Sequence, residues 1–181
     1  MKKKILKYAG ALIVIALLIF LDQWTKHWAT ENLKLQPDII LIKGVFQLHY
    51  LENAGMAFGL LQHQQLLFSV MTVIILIFVI YLFVRTPEKK RYLPIYMILV
   101  LVCAGAVGNT IDRVSQKYVV DFLYFSLINF PVFNVADCYV TIAGILAVIY
   151  VLFVYKDEEM SALYSLKKEK KIPGGSDEQG N

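Results

Sequence analysis

The chain has 181 residues, 58% of them hydrophobic, with a mean hydropathy of +0.59 and a formal net charge of +4. That apolar content excludes an ordinary soluble domain, and the length allows one compact unit. The two cysteines, Cys103 and Cys138, show neither a secreted disulfide framework nor metal-ligand spacing, and read as small packing residues.

Four apolar stretches, approximately Tyr8–Trp28, Leu66–Val84, Leu93–Asp112 and Ala136–Tyr155, match the roughly 20 residues a helix needs to cross a bilayer. Most lysines and arginines fall at alternate ends of these spans: Lys2–Lys4 and Lys7, then Arg85 and Lys89–Arg91, then Lys156 and the lysines of the tail. Basic excess marks the cytoplasmic side, so both termini are expected there. Asp22, Asp121 and Asp137 then lie near the outer face. The basic runs read as topology determinants and lipid-headgroup contacts, not as a nucleic-acid surface.

The first residues, Lys2–Lys4 and an apolar run, have the look of a signal peptide, but no small-residue cleavage site follows. The helix is expected to continue through Leu21-Asp22-Gln23-Trp24-Thr25-Lys26. Asp22 and Lys26 are four residues apart and share a helical face, so an ion pair at the helix end is favoured over direct catalysis. Trp24 and Trp28 suit an interfacial aromatic belt.

The segment 31–65 is external. Ile39–Ile42 is a short β-type run. In Val45–Leu51, Phe46, Leu48 and Tyr50 alternate with Gln47 and His49, the period of a half-buried strand. Together they predict a small sheet on the membrane surface. His49 has no Ser/His/Asp or Cys/His order around it and reads as a residue of the polar strand face. Glu52-Asn53-Ala54-Gly55-Met56-Ala57-Phe58-Gly59 reads equally as a turn and as a substrate contact, with glycines permitting close backbone approach and Asn53 offering an amide.

Leu66–Val84 carries no charge and reads as scaffold, followed by a cytoplasmic turn around Pro87. In the third span Ala104 and Gly108 form a small-xxx-small pair that admits another helix. Asn109, Asp112 and Arg113 follow on one face. Burying Asp or Arg at mid-helix costs about 2.5–3.5 kcal/mol, part of which an Asp112–Arg113 contact offsets. Asn109 and Arg113 are then placed to donate to a bound carbonyl.

The second external segment, 114–135, holds Tyr118-Val119-Val120-Asp121-Phe122, β-branched and aromatic around one acid. Phe133-Asn134-Val135-Ala136-Asp137 leads into the last span, with Asn134 as N-cap and Asp137 at the third helical position. Helix-dipole stabilisation explains an acid at a helix start. It does not explain the earlier acid in an apolar segment. Two carboxylates sharing one proton at a membrane surface suit peptide hydrolysis. Intramembrane acids also mark proton-coupled transporters, although no internal repeat is visible, and magnesium-dependent phosphatases, which a chelator would silence. The charged tail, residues 165–181, is expected to be disordered in the cytoplasm, leaving 1–164 as one integral membrane domain.

At these residues the chain resembles lipoprotein signal peptidase (signal peptidase II), a family of aspartic proteases of the bacterial inner membrane. The resemblance covers nearly everything except the tail. It rests on Asp22-Gln23-Trp24-Thr25-Lys26, Asn53-Ala54-Gly55-Met56-Ala57-Phe58, Gly108-Asn109-Thr110-Ile111-Asp112-Arg113, Val119-Val120-Asp121-Phe122 and Phe133-Asn134-Val135-Ala136-Asp137, in the family's order. It implies a membrane all-α fold: a four-transmembrane-helix bundle with a small extracytoplasmic β-sheet. It implies that Asp121 and Asp137 are the catalytic dyad, that Asn53, Asn109, Arg113 and Asn134 line or support the substrate site, and that Asp22, Lys26, Gly55, Gly108 and Asp112 have supporting roles. The implied substrate is a prolipoprotein carrying a diacylglyceryl group on cysteine, cut just before that cysteine. Membrane lipids are the other expected partners, a monomer is expected, and the chemistry requires neither metal nor cofactor. Two positions depart from the family, which often has glycine where this chain has Lys117 and Ala104.

Overall fold

The order of elements follows the alternation of apolar and polar stretches. The computed structural model describes residues 2–55 and 65–155; the Met56–Gly59 part of the glycine turn and the tail from Ser165 lie outside them. Helix α1 is Lys2–Leu33, strands β1 and β2 are Ile39–Ile42 and Phe46–Asn53, α2 is Gln65–Arg85, α3 is Leu93–Gln116, β3 is Val119–Tyr124 and α4 is Val135–Ile149. A wider helical turn, Tyr150–Val154, continues α4.

Among the described residues, three helical stretches are long and apolar enough to cross a membrane: Leu6–Leu33, Lys90–Gln116 and Val135–Val154. The apolar part of α2, Val70–Arg85, is shorter. Outward faces of these helices are apolar: Leu12, Leu17, Phe20, Ile74, Ile77, Phe78, Ile145 and Phe153 are all exposed. So large an apolar surface has a hydrocarbon neighbour, not water. Helix α3 is central and packs against α1, α2 and α4.

The approach of α3 to its neighbours depends on missing side chains. A Cβ on Gly108 would stand 2.6 Å from Asp22 Oδ2, and one on Gly105 would stand 2.6 Å from the Ala136 carbonyl oxygen. Ala104 is fully buried beside them. The small residues foreseen at Ala104 and Gly108 therefore include Gly105, which sets the contact with α4.

The three strands form one antiparallel sheet in the order β1-β2-β3. In β3, Val120 and Phe122 pack with Ala29 and Leu33 at the end of α1. Side chains alternate along a strand, so Val119 and Asp121 face the other way, into the cavity described next. At the far end of the bundle Val79, Tyr92, Ile95, Leu99 and Tyr155 form a second core. There the Lys7 ammonium donates to the Tyr96 hydroxyl and lies over the Tyr96 ring, tying α1 to α3.

Candidate active site

Strand pairing brings the first external segment to Asp121. Asn53 is paired with Val119 across β2 and β3. Its amide reaches the diagonal neighbour, so Asn53 Nδ2 donates to Asp121 Oδ2 at 2.8 Å. The Asn53 oxygen accepts from the Gly55 backbone at 3.0 Å, which fixes the direction of the amide.

Backbone pairing then brings the start of α4 to the same place. Phe122 and Leu123 N–H both donate to the Phe133 carbonyl, at 3.0 and 2.8 Å, and Phe133 N–H returns a bond to Leu123. Asn134 follows as the N-cap of α4. Its Oδ1 accepts from the Asp137 backbone at 3.0 Å, and Asp137 Oδ2 accepts from the Asn134 backbone at 3.2 Å. This reciprocal capping box satisfies two of the donors orphaned at a helix start. Asp137 is thus fixed by the geometry that begins the helix, with its side chain at the positive end of the α4 dipole.

Asn134 links the two acids. Its Nδ2 donates to Asp121 Oδ1 at 2.6 Å and to Asn109 Oδ1 at 3.1 Å. Asn109 Nδ2 in turn donates to Asp137 Oδ1 at 2.8 Å. Each carboxylate therefore receives one amide N–H from this asparagine pair. Both hydrogens of the Asn134 amide are engaged, which makes it a clamp on the acids.

Behind the asparagines lies a buried ionic layer. Lys26 Nζ stands 2.9 Å from Asp22 Oδ2, 3.0 Å from Asp112 Oδ2 and 2.9 Å from Asn109 Oδ1. The Asp22–Lys26 pair read from sequence is present. Asp112 is held by Lys26, by Gln23 Nε2 at 2.9 Å and by the Val120 backbone at 3.2 Å. Asp22 Oδ1 accepts from the Ala136 backbone at 2.9 Å, which anchors the first turn of α4 to α1. Gln23 has no role in the reading of the sequence; its signal is a neutral amide between Asp22 and Lys26 in the polar turn of α1.

Asp121 and Asp137 both line a cavity of about 730 Å³. Asn53, Gly55, Asn109 and Arg113 share its polar part. Phe125, Ile128, Phe130, Val132 and Ile142 form a wide apolar wall that no single sequence motif announced. Asp121 is 2% exposed. Burial, followed by the neighbouring charge of Asp137, pushes its carboxyl up to about 7, against the bonds from Asn53 and Asn134 and the charge of Lys26, which pull it down. A carboxyl poised near neutrality beside a second carboxylate can hold a proton for a carbonyl oxygen while its partner takes one from water.

The profile of a family described as signal peptidase (SPase) II matches residues 14–153. A lipoprotein signal peptidase of Streptococcus thermophilus (strain CNRZ 1066) is 42% identical over 149 residues, covering 82% of this chain and 94% of that protein. Another, from Clostridium tetani (strain Massachusetts / E88), is 41% identical over 145 residues, covering 78% of this chain and 91% of that protein. A bacterial membrane enzyme solved by the in meso method at 2.3 Å resolution superposes with a TM-score of 0.72 at 30% identity, covering 91% of this chain and 95% of that one.

Proposed function

The chain belongs to the signal peptidase II family, proteases that remove signal peptides from lipoprotein precursors, and we propose that Asp121 and Asp137 are its catalytic pair. The observation that carries the assignment is the shared clamp: Asn134 bonds Asp121 through its amide and Asp137 through its backbone, at the wall of one cavity. Asp137 at the helix start is the base that draws a proton from water. Asp121 in its buried strand carries the proton that goes to the scissile carbonyl oxygen. The substrate is a precursor whose cysteine already bears a diacylglyceryl group, and the cut falls just before that cysteine. Support for the lipid comes from the apolar wall around Phe125, Ile128 and Phe130, and for the peptide from Asn53 and Arg113 at the polar rim.

Residues 1–164 act as one monomeric membrane-embedded unit, with α2 as a fourth span. The basic residues Lys7, Arg85 and Arg91 support a cytoplasmic position for the far end of the bundle and for both termini. The sheet and the cavity then lie at the outer face, where the scissile bond meets water.

The test incubates purified protein with a diacylated precursor and compares product size for wild type, Asp121→Asn and Asp137→Asn. Each variant is expected to lose at least about 10³-fold in rate, on the scale of losing an essential catalytic group. Full cleavage by either would end the dyad assignment. Cleavage is expected to continue in the presence of a chelator, because two carboxyls supply both acid and base.

A further inference from the structure

We propose that Lys26 is a positioning residue: it fixes which way the Asn109 amide faces, and so delivers an N–H to Asp137. The inference rests on the dyad reading above. An ammonium group only donates. Lys26 Nζ has three acceptors around it, Asp22 Oδ2, Asp112 Oδ2 and Asn109 Oδ1, one for each of its three hydrogens. The Asn109 oxygen must therefore face Lys26, which leaves its nitrogen facing Asp137 Oδ1 at 2.8 Å. The reverse orientation would set an amide N–H against the ammonium and an amide oxygen against the carboxylate.

The same oxygen also accepts from Asn134 Nδ2, whose other hydrogen goes to Asp121 Oδ1. The donor-only cation thus sets the sense of the Asn109 amide, while the capping bond from the Asp137 N–H sets that of Asn134, and each amide then presents a hydrogen to one carboxylate. Both carboxylates that hold the cation are tied to backbone. Asp22 is buried, bound to the Ala136 backbone and packed under Gly108; Asp112 is buried and bound to the Val120 backbone. Those two backbone bonds reach the elements that carry Asp137 and Asp121. Among the described residues, the charged groups around Lys26 and the two acids are Asp22 from α1 and Asp112 and Arg113 from α3.

A double-mutant cycle separates this role from a merely structural one. The rate constant kcat/KM would be measured on a synthetic peptide bearing a diacylglyceryl cysteine, for wild type, Lys26→Met, Asn109→Ala and the double variant, with thermal midpoints alongside. Each single change is expected to cost about 10²-fold, mainly in kcat, as for a misplaced catalytic group. The double variant is expected to fall no further than the worse single, because Lys26 has no amide left to orient. Losses that multiply, to about 10⁴-fold, overturn the proposal, as does a folded Lys26→Met enzyme with the wild-type rate. Should Lys26→Met not fold, the cycle is run in an Asp112→Asn background, where removal of the lysine restores the layer's formal charge. Misfolding there as well assigns Lys26 to folding and overturns the proposal. Asp121→Asn and Asp137→Asn are assayed in parallel: cleavage by either defeats the dyad reading itself, whereas two inactive variants with a multiplicative cycle defeat only the role of Lys26.

Discussion

At the scale of residues, Asp121 couples stability to chemistry. Its carboxyl is raised to about 7, first by burial and then by the charge of Asp137. Since the folded value lies above that of the unfolded chain, its contribution to stability is complete below about pH 4 and is lost as the pH rises through about 7. Asp121→Asn removes this buried charge while giving up one hydrogen bond. The variant is expected to be inactive yet more stable than wild type at pH 8, by about 1–3 kcal/mol, and close to wild type at pH 4. Thermal unfolding in detergent at the two pH values checks this; equal midpoints at pH 8 would count against the buried charge. For activity, the proton that the proposed mechanism draws from Asp121 is absent above its titration. The rate constant kcat/KM should therefore fall about tenfold per unit above pH 7. Asn53→Ala removes a bond that pulls the carboxyl down, so it should move that alkaline limb upward, and a pH–rate profile unchanged by the substitution would contradict the assignment.

At the scale of elements, the site is assembled where α1, α3, α4 and the sheet converge, and its tolerances are set by α3. Gly108→Ala would push a methyl group against Asp22, which cannot swing aside because Ala136 and Lys26 hold it. A loss of about 1–3 kcal/mol in stability is expected, together with reduced cleavage, read from a melting curve and an activity assay. The end of α3 points the other way. Lys117 terminates the helix with φ of 71°, a left-handed conformation that glycine adopts without strain. Lys117→Gly is expected to raise stability by about 1 kcal/mol without changing cleavage. A glycine at this position, which the resemblance implies, would thus have a conformational reason. Much at this scale was legible in the sequence: the alternation of Phe46, Leu48 and Tyr50 in β2, Asn134 as a cap with Asp137 three residues on, and Asp22 with Lys26 across one helical turn. Local spacing determines each of these. The bond from Asn53 to Asp121 was not legible, because it depends on the β2–β3 register, which shifts between Leu48 and Leu51. Nor was the pairing of Asp112 with Lys26, which requires knowing that α1 and α3 are neighbours. The neighbouring Arg113 was the nearer candidate in sequence.

At the scale of the whole molecule, the orientation proposed above can be tested without assaying activity. Leu35 is 95% exposed in the turn after α1, and Glu88 is exposed at the opposite end of the bundle. In a background with Cys103 and Cys138 replaced by serine, a membrane-impermeant maleimide should label Leu35→Cys in intact cells. It should label Glu88→Cys only after permeabilisation; the opposite pattern would invert the topology. The apolar outward faces of α1, α2 and α4 have a kinetic meaning too. An enzyme coated in this way would meet the diacylated substrate proposed above by lateral diffusion in a shared film. Turnover should then follow the surface density of precursor in that film: adding empty micelles or vesicles should slow the reaction while leaving every bulk concentration untouched.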